Sequence, residues 1–145
     1  MMYDILNTAF DTGRILHLVS AHAKEMYGEE GNLDLNHFFT IANAGLARVY
    51  VARDENQIVG YAMFLLHRDL FKAHVRQAEC VAVYVMPEYR GTFIAKRLLQ
   101  FAEKMLAEKD GATRLISTTS KDPRLQAFYE RLGYCVSNVQ VTKEL

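Results

Sequence analysis

Hydrophobic positions alternate over residues 80–85, with Val81, Val83 and Val85 set against Cys80, Ala82 and Tyr84. Both sets are mostly apolar, which predicts a strand covered on two faces. Met86-Pro87-Glu88 stops it, because proline cannot donate to a ladder. Beyond Arg90-Gly91-Thr92 the period changes. Ile94, Leu98, Phe101 and Met105 recur at spacings of four, three and four, and Ala95, Leu99, Ala102 and Leu106 widen the stripe. That pattern is one face of a helix made to lie flat on a sheet. Strand, basic turn and helix start together aim free N–H groups and the positive end of the helix dipole at one spot beyond the strand. Such a spot favours an anion, with phosphate as the natural occupant.

The rest of the chain is ordered by the same signals. Residues 2–9 predict an edge strand. Asp11 reads as the N-cap of a first helix, in which Ile15, Leu18, Val19, His22 and Met26 follow at helical spacing to about Tyr27. Residues 28–32 form a loop, and Asp34 or Asn36 caps a second helix that carries Phe38, Phe39, Ile41 and Ala42 and ends at Gly45. Residues 49–52 and 58–66 predict the arms of a hairpin, joined by a turn at 54–57. A polar, basic connection covers 67–76. Gly111 stops the long helix, and residues 114–119 read as a strand. Asp122-Pro123 starts a last helix with an N-cap followed by proline at the first helical position. Leu125, Phe128, Tyr129 and Leu132 define that helix, Gly133 ends it, and residues 134–142 predict a final strand. The predicted fold class is α+β: a mixed, largely antiparallel central sheet flanked by about four helices in a three-layer arrangement, with a parallel crossover around the 94–109 helix.

Composition narrows the function classes. A chain of 145 residues suits a single domain, 1–145, and half its residues are hydrophobic. Seventeen basic residues balance seventeen acidic ones, which weighs against a non-specific nucleic-acid binder. No apolar run approaches the roughly 18 residues that cross a bilayer, and no signal peptide precedes the first charges. Cys80 and Cys135 lie in apolar runs and read as free thiols of a reducing compartment, so a cytoplasmic location is expected. No Cys/His spacing suits zinc, and no metal is expected.

Two motifs carry chemistry. VAVYVMPEYRGTFIAKRLL contains the strand, turn and helix start, and AFYERLGY contains the last helix. With the element order they resemble the GNAT superfamily of acyl-CoA N-acyltransferases, and the resemblance covers nearly the whole chain. It implies that the turn of Arg90, Gly91, Thr92, Phe93, Ile94, Ala95 and Lys96 cradles the pyrophosphate of CoA. The family pattern places Gln or Arg three residues before the first glycine and Gly or Ala two residues after it; this chain has Glu88 and Phe93 there, while Ala95 fits the small residue that follows. Val83 and Val85 would hold the pantetheine arm by main-chain hydrogen bonds, and a backbone N–H near Val85 would steady the oxyanion. Asp122 stands where the family often has Asn, near that arm. The resemblance gives Tyr129 the task of protonating the departing thiolate, and a phenol with a free pKa of about 10 carries a proton at neutral pH. Without the family, Tyr129 reads as a core aromatic.

Glu79 heads the central strand and reads either as a solvent-facing carboxylate or as a general base, acting directly or through water. A base is needed because an alkyl ammonium with pKa near 10 is only about one part in a thousand neutral at pH 7. His74, His37 and Glu25 are weaker candidates for that role. Glu25, Glu29, Glu30 and Asp34 surround the loop between the first two helices, either as a solvated loop or as a field that draws in a cationic amine. Arg90, Lys96 and Arg97 read as phosphate ligands or as ordinary helix-surface charge. The function expected is an N-acetyltransferase that moves an acetyl group from acetyl-CoA to a primary amine by direct attack on the thioester. The acceptor is a small molecule or peptide, no membrane or nucleic acid takes part, and a homodimer is possible. The alternative is a non-catalytic acyl-CoA-binding or regulatory module on the same fold, suggested by Phe93 and Glu88.

Overall fold

Within residues 1–28 and 34–145, which the computed structural model describes, five strands form one sheet in chain order. They are β1 (Met2–Ile5), β2 (Ala47–Asp54), β3 (Gln57–Arg68), β4 (Arg76–Val85) and β5 (Arg114–Ser117). The helices are α1 (Thr8–Tyr27), α2 (Leu35–Asn43), α3 (Ile94–Asp110) and α4 (Pro123–Arg131), with a 3-10 turn at Pro87–Tyr89. The first four strands pair antiparallel and β5 joins β4 in parallel. A parallel neighbour requires a crossover, and α3 supplies it. The expected α+β fold with a mixed, largely antiparallel sheet is thus the observed one.

Helix ends follow their capping residues. The Asp34 carboxylate accepts the His37 N–H at 3.0 Å and opens α2, and Asp122 accepts the Arg124 N–H at 2.9 Å ahead of Pro123 in α4. Gly111 closes α3 in the left-handed conformation, φ 67°, where a side chain would be strained. The apolar stripe of α3 buries Ile94, Leu98, Leu99, Ala102 and Leu106. Leu98, Leu99, Ala102 and Leu106 meet Tyr50, Ala62, Phe64, Ala78 and Cys80 on one face of the sheet, and Tyr129 of α4 completes that cluster. Leu6, Ile15 and Leu18 cover the other face over Val49, Val51, Tyr61 and Tyr84. Each such aliphatic side chain contributes about 1.5–3 kcal/mol by leaving water. The centre of the sheet is tight: a Cβ on Gly60 would come within 2.9 Å of the Tyr84 carbonyl oxygen, so β3 can approach β4 there only as glycine.

Five expectations need correction. Asp11 does not cap α1, which begins at Thr8. Its carboxylate, 2% exposed, instead takes both Nη atoms of Arg53 on β2, at 3.1 and 2.6 Å, and the Asn7 N–H at 2.9 Å. β1 stops at Ile5 and β4 starts at Arg76, four residues ahead of the apolar alternation. Residues 134–142 form no strand, and Val136, Val139 and Val141 stand exposed. High β-propensity makes a strand only where a ladder partner is presented, and none is paired to them. Finally, Cys80 does not share a side with Ala82 and Tyr84. The β3–β4 register runs Met63↔Ala82 and then Phe64↔Cys80, so Val81 is a bulge with no counterpart. Cys80 therefore packs on the α3 side with Val83, while Ala82 and Tyr84 face α1.

Candidate active site

β4 is paired on both edges only as far as Cys80. β5 ends at Ser117, opposite Cys80, so among the described residues 81–85 have no strand neighbour on that side. The bulge at Val81 sits where the two strands part, and bulges bend the strand that carries them. The direction of the free backbone groups follows from alternation. The Met86 N–H donates to the Val59 carbonyl at 2.9 Å, so even-numbered residues from 82 onward turn their polar groups toward β3. Val83 and Val85 turn theirs into the gap. The Arg90 Nε donates to the Val85 carbonyl at 2.8 Å from that open side.

Tyr129 stands at the mouth of this gap. Its hydroxyl lies near the Cys80 thiol and the Ser117 hydroxyl, the last residues that β4 and β5 pair. Burial and the nearby Cys80 raise the phenol to about 12, so it stays protonated through neutral pH. Burial pushes the Cys80 thiol up to about 12 as well, which makes it an inert neighbour and no nucleophile. The ring packs against Phe128 and Tyr134 at 5.5 and 5.1 Å between centroids. Tyr129 is therefore a core aromatic whose polar end reaches the gap.

Glu79 pairs with Leu65 and lies on the α1 side of the sheet, opposite to Tyr129. Its carboxylate is partly exposed, and its Oε2 lies 3.5 Å from the Nε2 of His67. His37 is exposed on the first turn of α2, and His74 is exposed in the β3–β4 connection.

The turn before α3 has the backbone of an anion cradle. Gly91 has φ 75°, which favours glycine, and a Cβ there would point into open space. Thr92 Oγ1 donates to the Tyr89 carbonyl at 2.7 Å and accepts the Ile94 N–H at 3.4 Å. The following first-turn N–H groups of α3, those of Ala95 and Lys96, have no carbonyl inside the helix to bond. Phe93 does not crowd this turn from the core: it is 67% exposed, and Lys96 and Arg97 lie over its ring at about 6.0 and 5.9 Å. The Arg90 side chain, expected on phosphate, is bound bidentately to Glu25, each bond 2.7 Å. Asp122 is tied to its own helix by the Arg124 guanidinium as well as by the cap.

Of the acidic residues around the α1–α2 loop, Glu25 is neutralised by Arg90 and Asp34 is spent on its cap. Glu29 and Glu30 lie outside the described residues. A group that periodicity marked only as part of the α1 stripe also faces this region. His22 Nδ1 lies 2.8 Å from the Tyr61 hydroxyl, and its ring stacks on Tyr84 at 5.0 Å. Burial lowers the His22 pKa, which keeps the imidazole neutral at pH 7. His22 was legible only as one of the residues at helical spacing; its partners are 39 positions and more away in sequence. A concavity of about 620 Å³ is a separate open trough between Arg14, His17 and the β2–β3 turn, and it includes none of the gap residues. Among the described residues no helix is long and apolar enough to cross a membrane, and no His, Cys, Asp or Glu cluster could hold a metal ion.

The sequence matches the model of the acetyltransferase (GNAT) family over residues 2–134. An uncharacterized N-acetyltransferase of Mycobacterium bovis is 32% identical over 95 residues, 63% of this chain and 55% of that protein. The chain thus spans about half the length of the curated relatives it matches. Among solved structures, a ribosomal-protein-alanine N-acetyltransferase from Brucella melitensis superposes with a TM-score of 0.78 at 18% identity, covering all of both chains. A transcriptional regulator from Bacillus halodurans superposes with a TM-score of 0.82 at 21% identity, covering 99% of each. At these identities the structural matches speak to the fold.

Proposed function

The chain belongs to the GNAT family of acetyltransferases, and we propose that it transfers an acetyl group from acetyl-CoA to a primary amine by direct attack on the thioester. The observation that carries this reading is the Tyr129 hydroxyl at the point where β4 and β5 separate. The surrounding residues fit a CoA-type donor. Val83, and Val85 through its N–H, offer main-chain groups to an amide-bearing arm, as an added strand would, while Arg90 holds the Val85 carbonyl. Gly91 and the open first turn of α3 offer N–H groups and a positive dipole end to a diphosphate. Lys96 and Arg97 add positive charge beside that turn. Bound there, acetyl-CoA supplies an activated acyl carbon and a thiolate leaving group.

The two faces of the sheet divide the proton work. On the α1 side Glu79 takes the proton of the incoming ammonium, directly or through water. The amine nitrogen then forms its bond to the acyl carbon, and the Val85 N–H steadies the oxyanion. As the carbon–sulfur bond breaks, Tyr129 gives its proton to sulfur from the other side, and the proton that the nitrogen sheds on becoming an amide passes to solvent water, from which the phenol is reloaded. A phenol held at about 12 is always loaded for this step at neutral pH. The alternative of a non-catalytic module rested on Phe93 and Glu88, and the exposure of Phe93 removes the steric part of that case.

Tyr129→Phe tests the reading. With an amine found by screening for thiol release, turnover should fall by about 10² to 10⁴. CoA affinity should hold, and stability should change by less than about 1 kcal/mol, since the ring and its packing stay. Wild-type turnover by this variant, with chemistry rate-limiting, would remove Tyr129 from the mechanism.

A further inference from the structure

Arg90 is committed twice over, and both commitments obstruct the proposed donor site. Nη1 and Nη2 bind the two oxygens of Glu25, each at 2.7 Å, and Nε binds the Val85 carbonyl at 2.8 Å. The guanidinium also lies over the Tyr84 ring, 5.2 Å from its centroid. One side chain therefore occupies a carbonyl on the open edge of β4 and silences Glu25, near the end of α1. The pair is open to water: the Arg90 and Glu25 side chains are 41% and 47% exposed. An exposed pair of this kind is weak and easily exchanged. A diphosphate offers the same fork two oxygens and more charge, so it competes well for a guanidinium.

We infer that Arg90 is an exchangeable latch, which binds Glu25 and the Val85 carbonyl until the donor's diphosphate takes the guanidinium over, and that the freed Glu25 then holds the ammonium group of a cationic acceptor. This rests on the donor reading given above. Glu25 suits the second role because a carboxyl of ordinary acidity, pKa about 4.3, stays an anion at pH 7 once Arg90 has left it. Among the described residues packed around His22, neither His22, which is neutral, nor Tyr61, whose phenol burial keeps uncharged, can take over that role. The latch imposes an order. The donor frees one more negative charge on the acceptor side, so donor and cationic acceptor bind with positive coupling, and the coupling is reciprocal.

Calorimetry on wild type and Glu25→Gln decides the matter, with melting curves to confirm that both are folded. Three probes are used: CoA, pantetheine (which lacks the phosphates), and spermidine as the cation. Without its competitor, Arg90 in Glu25→Gln should bind CoA about two- to fivefold tighter. Pantetheine should bind both proteins equally. Spermidine should bind wild type more tightly with CoA present than without, and Glu25→Gln should lose that difference. Equal CoA affinity in both proteins overturns the latch, as does an equal gain for pantetheine or spermidine binding indifferent to CoA in wild type. A folded wild type that binds no CoA removes the donor reading and the latch with it.

Discussion

Helix α1 is tied to the rest of the molecule by two arginine–carboxylate pairs of nearly the same geometry. Near its start Asp11 meets Arg53 with a shortest contact of 2.6 Å, and near its end Glu25 meets Arg90 at 2.7 Å. Both are two-pronged. They differ in water: the Asp11 and Arg53 side chains are 3% and 11% exposed, whereas those of Glu25 and Arg90 are each more than 40% exposed. In the first pair, removal of one partner strands a charge in the core. In the second, solvent or an incoming anion replaces the lost partner at little cost. Contact geometry alone would rank the two as equals; solvent access makes one a fastener and the other an exchangeable contact.

The largest effect should come from the buried pair. Asp11→Ala leaves the buried Arg53 with only its longer, 3.9 Å contact to the Asp4 carboxylate and should lower the unfolding free energy by about 3 kcal/mol, read by denaturant titration. A loss below 1 kcal/mol would show that Arg53 finds water and that the contrast is false. The next effect is an acid titration. Arg53 hydrogen bonds hold the Asp11 carboxyl below its ordinary value, with burial opposing them. A depressed carboxyl stabilises the fold fully above the unfolded pKa, about 4, and the benefit is lost as pH falls through the lower folded value. Wild type should therefore lose more stability below pH 4 than Asp11→Asn does, and parallel curves would contradict the assignment. The smallest effect belongs to the exposed pair. Glu25→Gln should change stability by less than about 1 kcal/mol, and by less still in high salt. A change of several kcal/mol would make that pair structural as well and would sink the idea that it exchanges.

Legibility in the sequence followed the range of the forces involved. The α3 stripe, the Gly111 stop and the Asp122-Pro123 start are local, and the structure has them where the residues point. Asp11 misled because a short carboxylate before an apolar stripe reads as a cap, and only the fold brings Arg53 to it from 42 positions away. Residues 134–142 misled because their alternation specifies a strand's faces and says nothing of a partner. In the candidate site, the turn and Tyr129 were visible as motifs. The Arg90–Glu25 pair, 65 positions apart, and the His22–Tyr61 contact were not, since neither has a local signature.

The surplus residue in β4 has a consequence at the level of insertions and deletions. Cys80 and Ala82 already face opposite sides of the sheet, as immediate neighbours would in a regular strand. A one-codon deletion of Val81 would therefore leave every flanking side chain on its present side and would mend the strand rather than invert it. What the mended strand would lack is the bend that carries it away from β5. An ordinary continuous sheet and one with a cleft through it are, at this position, a single inserted codon apart.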